Sequence, residues 1–179
     1  NEKDYCLQCL DGNWISSMGE FIPRFERAFA GLCGVPHGVA CSNGTTALHL
    51  ALETLGIGPG DEVIVPPYTM SASATAILAN GAVPIFADIN ERTFNLDPKS
   101  VEKQITKYTK ALMVVNLFGQ PADLDALKRI ATKHKLKIIE DNAQGPLATW
   151  RGRYAGTIGD IGVFSFNVHK TMQTGEGGM

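Results

Sequence analysis

The sequence lacks a hydrophobic run long enough to cross a bilayer, and it lacks an excess of basic residues. The first absence argues against a membrane-spanning protein. The net charge of -2 and the pI near 6.1 argue against a surface that binds nucleic acid. The first five residues are too polar for a secretory signal. We therefore predict a cytoplasmic protein that binds neither membranes nor nucleic acid.

Metal sites are poorly supported as well. The sequence has four cysteines, of which Cys6 and Cys9 form a C-x-x-C pair that could be redox-active or half of a zinc site. No second C-x-x-C or histidine pair follows at a zinc-like spacing. We therefore expect no bound metal and four reduced cysteines, as is usual in the cytoplasm.

The glycine motifs that bind nucleotides are also missing. The chain contains no P-loop. Gly156, Gly159 and Gly162 have the spacing G-x-x-G-x-x-G and precede a predicted strand. The dinucleotide fingerprint has the spacing G-x-G-x-x-G and follows a strand, so these glycines do not match it.

Short apolar runs alternate with helical segments along most of the chain. We predict strands at residues 39–41, 63–65, 83–87, 111–115, 137–139 and 161–166, and helices at residues 47–55, 71–80, 97–105 and 122–134. An earlier helix is predicted to bury one stripe, formed by Phe21, Phe25, Ala28, Phe29 and Leu32. This alternation implies crossovers and a mostly parallel sheet, and continuously apolar strands imply that both its faces are covered. We predict a three-layer α/β/α domain that occupies residues 1–179 together with its N-terminal segment.

Three polar features follow predicted strands. The turn at residues 42–46 could bind a phosphate at the start of a helix, or it could simply cap that helix. Asp141 follows a buried run and could hold a pyridinium nitrogen protonated, or it could be an ordinary loop carboxylate. Ser165 could donate to a phosphate. Lys170 lies just past the last strand, where α/β proteins place ligands, and lysine forms imines with carbonyl groups. We predict that Lys170 carries pyridoxal phosphate as a Schiff base, against the alternative of a surface lysine.

Several motifs occur together and in a recognisable order. They are residues 42–49 (SNGTTALH), 58–64 (GPGDEVI), 140–144 (EDNAQ), 159–160 (GD) and 164–178. With these motifs the chain resembles the DegT/DnrJ/EryC1/StrS family of pyridoxal-phosphate-dependent sugar aminotransferases, which have aspartate aminotransferase fold type I. The resemblance extends from Trp14 to Gly178.

The resemblance implies roles for individual residues of this sequence. Lys170 matches the lysine that forms the Schiff base, and Asp141 matches the partner of the pyridine nitrogen. Gln144 matches a residue near the 3-oxygen of the ring. The implied phosphate ligands are Gly44, Thr45 and Ser165. Met70 matches the residue that lies on the face of the ring. Family members usually have an aromatic residue at the last of these positions, so we expect weaker stacking there.

The resemblance also implies a reaction. It implies transfer of an amino group from an amino acid, which we expect to be glutamate or glutamine, to a keto-sugar that we expect to be nucleotide-linked. A homodimer is implied for the full-length protein. Trp14 and Ser17, in a glycine-bounded loop that could close over a ligand or pack on its own domain, are candidates for substrate contact.

Two alternatives to an aminotransferase stay open from the sequence. Sugar dehydratases of the same family have histidine in place of the Schiff-base lysine, so Lys170 argues against that activity. A non-catalytic or regulatory module is the other alternative, because the smaller C-terminal domain of the family cannot be located in this sequence. We expect the 179-residue piece to be inactive or impaired by itself.

Overall fold

The computed structural model describes all 179 residues and divides them into two units, Asn1–Ala40 and Cys41–Met179. The first unit contains α1 (Glu2–Asp11) and α2 (Phe21–Cys33). The predicted stripe on α2 is partly wrong, because Ala28 is exposed and Leu32 is 45% exposed. The residues that α2 buries are Phe29, Ala30 and Cys33. None of the helices in the structure combines the length and apolar character needed to cross a membrane.

The second unit is built on a parallel sheet. Its strands are β1 (Glu62–Val65), β2 (Val83–Phe86), β3 (Thr109–Val115), β4 (Lys137–Asp141), β5 (Thr149–Trp150), β6 (Arg153–Tyr154) and β7 (Ile161–Val163). Five of them form one sheet in the order β2-β1-β3-β4-β7, and each neighbouring pair is parallel. The short strands β5 and β6 form a separate antiparallel pair. The predicted mostly parallel α/β architecture is confirmed.

Helices cover both faces of the sheet. They are α3 (Gly44–Thr54), α4 (Ala72–Ala79), α5 (Pro98–Gln104) and α6 (Leu124–His134), with a 3₁₀ turn at Leu117–Gly119. Successive strand residues point to opposite faces, so the sheet divides its apolar side chains between two cores. One core joins Val63, Val65 and Met113 to α3 and α4. The other joins Ile64 and Leu112 to α5 and α6. The chain therefore has the three layers that the sequence predicts.

The predicted strand at residues 39–41 is wrong. Val39 is 57% exposed, and the N–H of Ala40 donates to the carboxylate of Glu26 at 2.8 Å instead of joining a ladder. Cys41 pairs in an isolated antiparallel bridge with Gly178. A side chain thus takes the backbone donor that a strand would have needed.

The last predicted strand is also shorter than expected, because β7 ends at Val163. The residues that follow pair with the last residues of the chain instead. Phe164 and Met179 exchange N–H···O bonds of 2.8 and 3.1 Å, and the N–H of Phe166 donates to the carbonyl of Gly177 at 2.8 Å. Residues 164–168 and 174–179 therefore form the two legs of a hairpin that continues from the sheet.

The glycines of the G-x-x-G-x-x-G pattern allow close packing between the loop before β7 and the strands. A Cβ atom on Gly162 would overlap the carbonyl oxygen of Gly156. Gly156 itself has a φ of +86° and packs against the ring of Phe164. A Cβ atom on Gly159 would lie 2.8 Å from the carbonyl oxygen of Ile138. The spacing therefore reflects backbone packing within the fold.

Replacing Gly162 with alanine is expected to destabilise the protein by about 3 kcal/mol or more, because the new methyl group meets backbone that cannot move aside as a side chain would. The matched change Gly58→Ala meets only the carbonyl oxygen of Asn80, at 3.8 Å, and should alter stability by less than about 1 kcal/mol. Urea unfolding of both variants measures the difference. Equal midpoints for the two variants would contradict this account of the packing.

Candidate active site

The order of the strands creates a crevice at one edge of the sheet. The chain passes from β1 to β2 on one side and then crosses to β3 on the other side of β1. In open α/β sheets, ligands bind outside the carboxyl ends of the strands at such a reversal. The polar residues at these ends include Thr69 after β1, Asn116 after β3, Asp141 at the end of β4 and Ser165 after β7.

Asp141 is the buried acid of this crevice. Asp141 is only 4% exposed. One carboxylate oxygen accepts from the hydroxyl of Ser73 at 2.7 Å, and the other accepts from the N–H of Ala143 at 3.2 Å. Burial raises the pKa of Asp141, and the opposing influences are these two hydrogen bonds and the positive charge of Lys170. The structure therefore brings the ammonium group of Lys170 within electrostatic range of this carboxylate.

Lys170 lies in the turn of the hairpin that follows β7. Its N–H donates to the carbonyl of Asn167 at 2.8 Å, and the side chain of Asn167 accepts from the N–H of His169 at 3.1 Å. The legs on either side of this turn are paired, since the N–H of Val168 donates to the carbonyl of Gly175 at 2.8 Å. The lysine is half-buried and is held by local hydrogen bonds at a fixed place along the hairpin.

The turn at residues 42–46 both caps α3 and leaves amides free for an anion. The side chain of Asn43 accepts from the N–H of Thr46 at 2.9 Å, and the hydroxyl of Thr46 accepts from the N–H of Asn43 at 3.2 Å. This capping box uses those two residues alone. The amides of Gly44 and Thr45 precede the first intrahelical bond, from Ala47 to Asn43, and so lie at the positive end of the helix.

Ser165 borders the same turn. A Cβ atom on Gly44 would lie 2.8 Å from the Cβ and 3.2 Å from the hydroxyl oxygen of Ser165. Only glycine lets the helix start approach the serine this closely. Ser165 is buried, and its hydroxyl faces the Cα of Gly44 at the start of the helix. Amides and a hydroxyl in this arrangement are the donors that a phosphate group needs.

The other predicted site residues are placed less tightly. The side-chain oxygen of Gln144 accepts from the N–H of Phe118 at 3.1 Å, which ties the loop after β4 to the turn after β3. Met70 lies in the turn before α4 and is 63% exposed. Trp14 and Ser17 belong to the first unit, where both are exposed on the turn between α1 and α2.

Glu140 and Ser73 are residues of this region whose roles the sequence analysis missed. Glu140 is fully buried and accepts from the backbone N–H groups of Gly156, Ile158 and Gly159 at 2.6–2.7 Å. A charged residue that directly continues the apolar run 138–139 was a usable signal for this carboxylate. Ser73 gave no such signal, because it is one small residue among the alanines of α4.

The residues at this edge fit pyridoxal phosphate. The cofactor needs an anion-binding turn for its phosphate, a carboxylate for its ring nitrogen and a primary amine for its carbonyl carbon. The amides of Gly44 and Thr45 with the hydroxyl of Ser165 meet the first need. Asp141 and Lys170, which interact electrostatically, meet the other two.

Comparison with known proteins adds independent findings. The model of the DegT/DnrJ/EryC1/StrS aminotransferase family matches residues 1–179. A GDP-perosamine synthase from Caulobacter vibrioides is 54% identical over 179 residues, which are 100% of this chain and 48% of that protein. The chain thus spans about half the length of the curated relatives it matches.

Solved structures agree with this result. The X-ray structure of an aminotransferase from Psychrobacter cryohalolentis matches with a TM-score of 0.96 and 42% identity, over 99% of this chain and 45% of that one. The PLP form of a candidate sugar aminotransferase from Streptococcus pneumoniae matches with a TM-score of 0.95 and 34% identity, over 99% of this chain and 49% of that one.

In the cofactor-free protein, Asp141→Asn is expected to increase stability at neutral pH. Because burial raises the pKa of Asp141, the folded protein binds that proton more tightly than the unfolded chain does. The wild type therefore loses stability as the pH rises through the raised pKa, whereas the asparagine variant does not. The difference between the two should be absent below the ordinary carboxyl pKa of 3.8 and complete above the raised value.

Thermal unfolding of the two proteins over a series of pH values checks this prediction. Asp88→Asn, which changes an exposed carboxylate just past β2, is the control for the loss of one negative charge. A variant that becomes less stable than the wild type as the pH rises would contradict the burial argument.

Proposed function

Because the chain belongs to the DegT/DnrJ/EryC1/StrS aminotransferase family, we propose that the protein is a pyridoxal-phosphate-dependent sugar aminotransferase. The amino group comes from an amino acid, glutamate or glutamine, and goes to a keto-sugar linked to a nucleotide, in amino-sugar biosynthesis. The match to a GDP-perosamine synthase supports this class of acceptor. The single observation that carries the proposal is the buried carboxylate of Asp141 at the end of β4, at the same sheet edge as the close approach of Gly44 to Ser165.

Different residues of the crevice would bind different parts of the cofactor. Pyridoxal phosphate, when bound, supplies a conjugated ring that delocalises negative charge from a carbon attached to an amine nitrogen. Lys170 Nζ would hold its carbonyl carbon covalently, and the Asp141 carboxylate would hold its ring nitrogen. The amides of Gly44 and Thr45 and the hydroxyl of Ser165 would bind its phosphate. Gln144 would hydrogen-bond the 3-oxygen, and the thioether of Met70 would lie on the ring face.

Two of these residues control protons. The Asp141 carboxylate would keep a proton on the ring nitrogen of the bound cofactor, because a buried anion is strongly stabilised by a cation placed against it. With the cofactor bound, the free Lys170 amine would serve as the base that takes the proton from the α-carbon of the donor amino acid. Burial at the sheet edge limits water at the acid, which strengthens the interaction.

The wider organisation of the protein is part of the same proposal. Residues 41–179 are the large cofactor-binding domain, residues 1–40 are its N-terminal segment, and the whole protein acts as a cytoplasmic homodimer. Trp14 and Ser17 contact the sugar substrate. Both are exposed polar or aromatic groups on a turn, which suits recognition of a sugar nucleotide.

Borohydride reduction of the whole protein with pyridoxal phosphate tests the covalent link. We expect the peptide that contains Lys170 to gain the mass of the reduced cofactor, and Lys170→Ala to abolish both this mass and turnover. Lys110→Ala, which removes an exposed lysine, is the control and should keep both the labelled peptide and turnover. Labelling at another lysine, or full turnover by Lys170→Ala, would refute the assignment.

The product separates the proposal from its two alternatives. Incubation with glutamate or glutamine and a nucleotide-linked keto-sugar should yield an amino-sugar, measured by mass spectrometry. A deoxy-keto-sugar product would indicate the dehydratase activity instead. Failure of the whole protein to bind the cofactor at all would favour a non-catalytic module.

Gly44→Ala is expected to weaken binding of pyridoxal phosphate at least about tenfold, because the added methyl group displaces Ser165 from the helix start. Binding of pyridoxal, which lacks the phosphate, should change much less. Titrations of both ligands against the wild type and the variant give this ratio, with Gly58→Ala as the control. An equal loss for the two ligands would show that the turn does not bind the phosphate.

A further inference from the structure

Two hydroxyl groups connect the turn after β1 to the acid at the end of β4. The Ser73 hydroxyl lies on the first turn of α4 and donates to the Oδ2 atom of Asp141 at 2.7 Å, across 68 residues of sequence. The hydroxyl oxygen of Thr69 lies 3.0 Å from that of Ser73. Ser73 is fully buried, whereas Thr69 is only partly buried.

The chemistry of these groups sets the direction of the hydrogen bonds. An ionised carboxylate only accepts, so the single hydrogen of the Ser73 hydroxyl is used at Asp141. The hydroxyl of Thr69 must then donate to Ser73. The chain of donors therefore runs from Thr69 through Ser73 to Asp141, and each hydroxyl orients the next.

This arrangement fixes the carboxylate of Asp141 on both sides. Its Oδ2 atom accepts from Ser73, and its Oδ1 atom accepts from the N–H of Ala143 at 3.2 Å. Rotation of the carboxylate would break both bonds, while each oxygen keeps a lone pair for a ligand. Glu140, the neighbouring acid, is held by the amides of Gly156 and Ile158 on the opposite face of β4.

The same hydrogen bond favours the charged form of the acid. Burial raises the pKa of Asp141, and the Ser73 hydroxyl is the largest of the influences that lower it, ahead of the Ala143 amide and the Lys170 charge. A neutral acid at this place could not stabilise a protonated ring nitrogen. The loss of a single hydroxyl would therefore act on the chemistry of the site without touching the cofactor.

We propose that Ser73 is a positioning residue for the reaction, and that its hydroxyl, oriented by Thr69, holds the carboxylate of Asp141 ionised and aimed at the ring nitrogen of the cofactor. The part that concerns the cofactor rests on the proposed function. The part that concerns Asp141 rests on the hydrogen bonds alone, so the two can be tested apart.

The first experiment uses the cofactor-free whole protein. Carboxyl ¹³C NMR follows the titration of Asp141 in the wild type, Ser73→Ala, Ser73→Thr and Ser71→Ala. Ser71 lies just before α4 and its side chain makes no capping bond, so it is a matched serine control. We expect Ser73→Ala to move the titration of Asp141 to higher pH, and Ser73→Thr and Ser71→Ala to leave it in place. An unchanged titration in Ser73→Ala would overturn the proposal.

The second experiment uses pyridoxal phosphate labelled with ¹⁵N in the ring. Its nitrogen resonance reports protonation directly, and we expect Ser73→Ala to shift it toward that of a neutral pyridine. The affinity for the cofactor should fall about tenfold, as for the loss of a hydrogen bond to a charged group. Thr69→Ala, at a partly exposed site, should shift the resonance in the same direction by less.

The outcomes separate the two levels of inference. A shifted Asp141 titration with no binding of the cofactor by the wild type would refute the proposed function and leave the positioning role of Ser73 for Asp141 intact. A normal ring-nitrogen resonance in Ser73→Ala, with cofactor bound, would refute the positioning role in the reaction. Recovery of the wild-type resonance in Ser73→Thr would show that the hydroxyl, and not the size of the residue, is responsible.

Discussion

Burial of two consecutive carboxylates at the end of β4 is the constraint on which the second unit depends. A buried carboxylate is costly unless donors replace the lost water. Glu140 receives three backbone N–H groups from the loop before β7, so this loop is fixed against the sheet. Asp141 receives one hydroxyl and one amide, and burial still raises its pKa. The carboxylate of Glu140 is thus bound by backbone groups of the fold. The carboxylate of Asp141 can still accept a hydrogen bond from a ligand.

The hairpin after β7 relates the remaining parts of the site to this pair of acids. Its second leg bonds to the start of the second unit, since Cys41 and Gly178 exchange two N–H···O bonds of 2.9 Å. A Cβ atom on Gly178 would overlap the backbone of Asn43, the residue that caps α3. The turn that offers amides and the turn that carries Lys170 are thus held by one piece of backbone. Neither can shift far without the other.

Helices and strands with a regular apolar pattern could be predicted from the sequence. Apolar runs such as 111–115 and helices such as α6 have strong periodicity, and their positions follow from it. Residues 39–41 also look like a strand, but a single side chain from Glu26 takes the backbone donor. No local pattern reports such a contact. The buried face of α2 could likewise be predicted only in part. Helical periodicity shows which residues share a face, but it does not show how that face is turned relative to the core.

The site shows the same division between local and distant information. Asp141 ends an apolar run, so its place at a strand end could be predicted from the sequence. Lys170 was expected just past a strand, but β7 ends at Val163 and Lys170 lies in the turn of the hairpin that follows. Ser73 could not be predicted, because its importance comes only from a hydrogen bond to a residue 68 positions away. Glu140 accepts from the amides of Gly156 and Gly159, yet in sequence these glycines show only a regular spacing that gives no sign of this contact. Distant pairings of this kind become visible only once the sheet has assembled.

The paired legs of the hairpin have a consequence for handling the protein. Both legs stay attached by backbone bonds, from Phe164 with Met179 up to Val168 with Gly175. A protease that cut within residues 169–173 would therefore leave the two pieces associated. Such nicked protein would co-purify with intact protein and separate from it only on a denaturing gel. The backbone next to Lys170 would then be broken on one side.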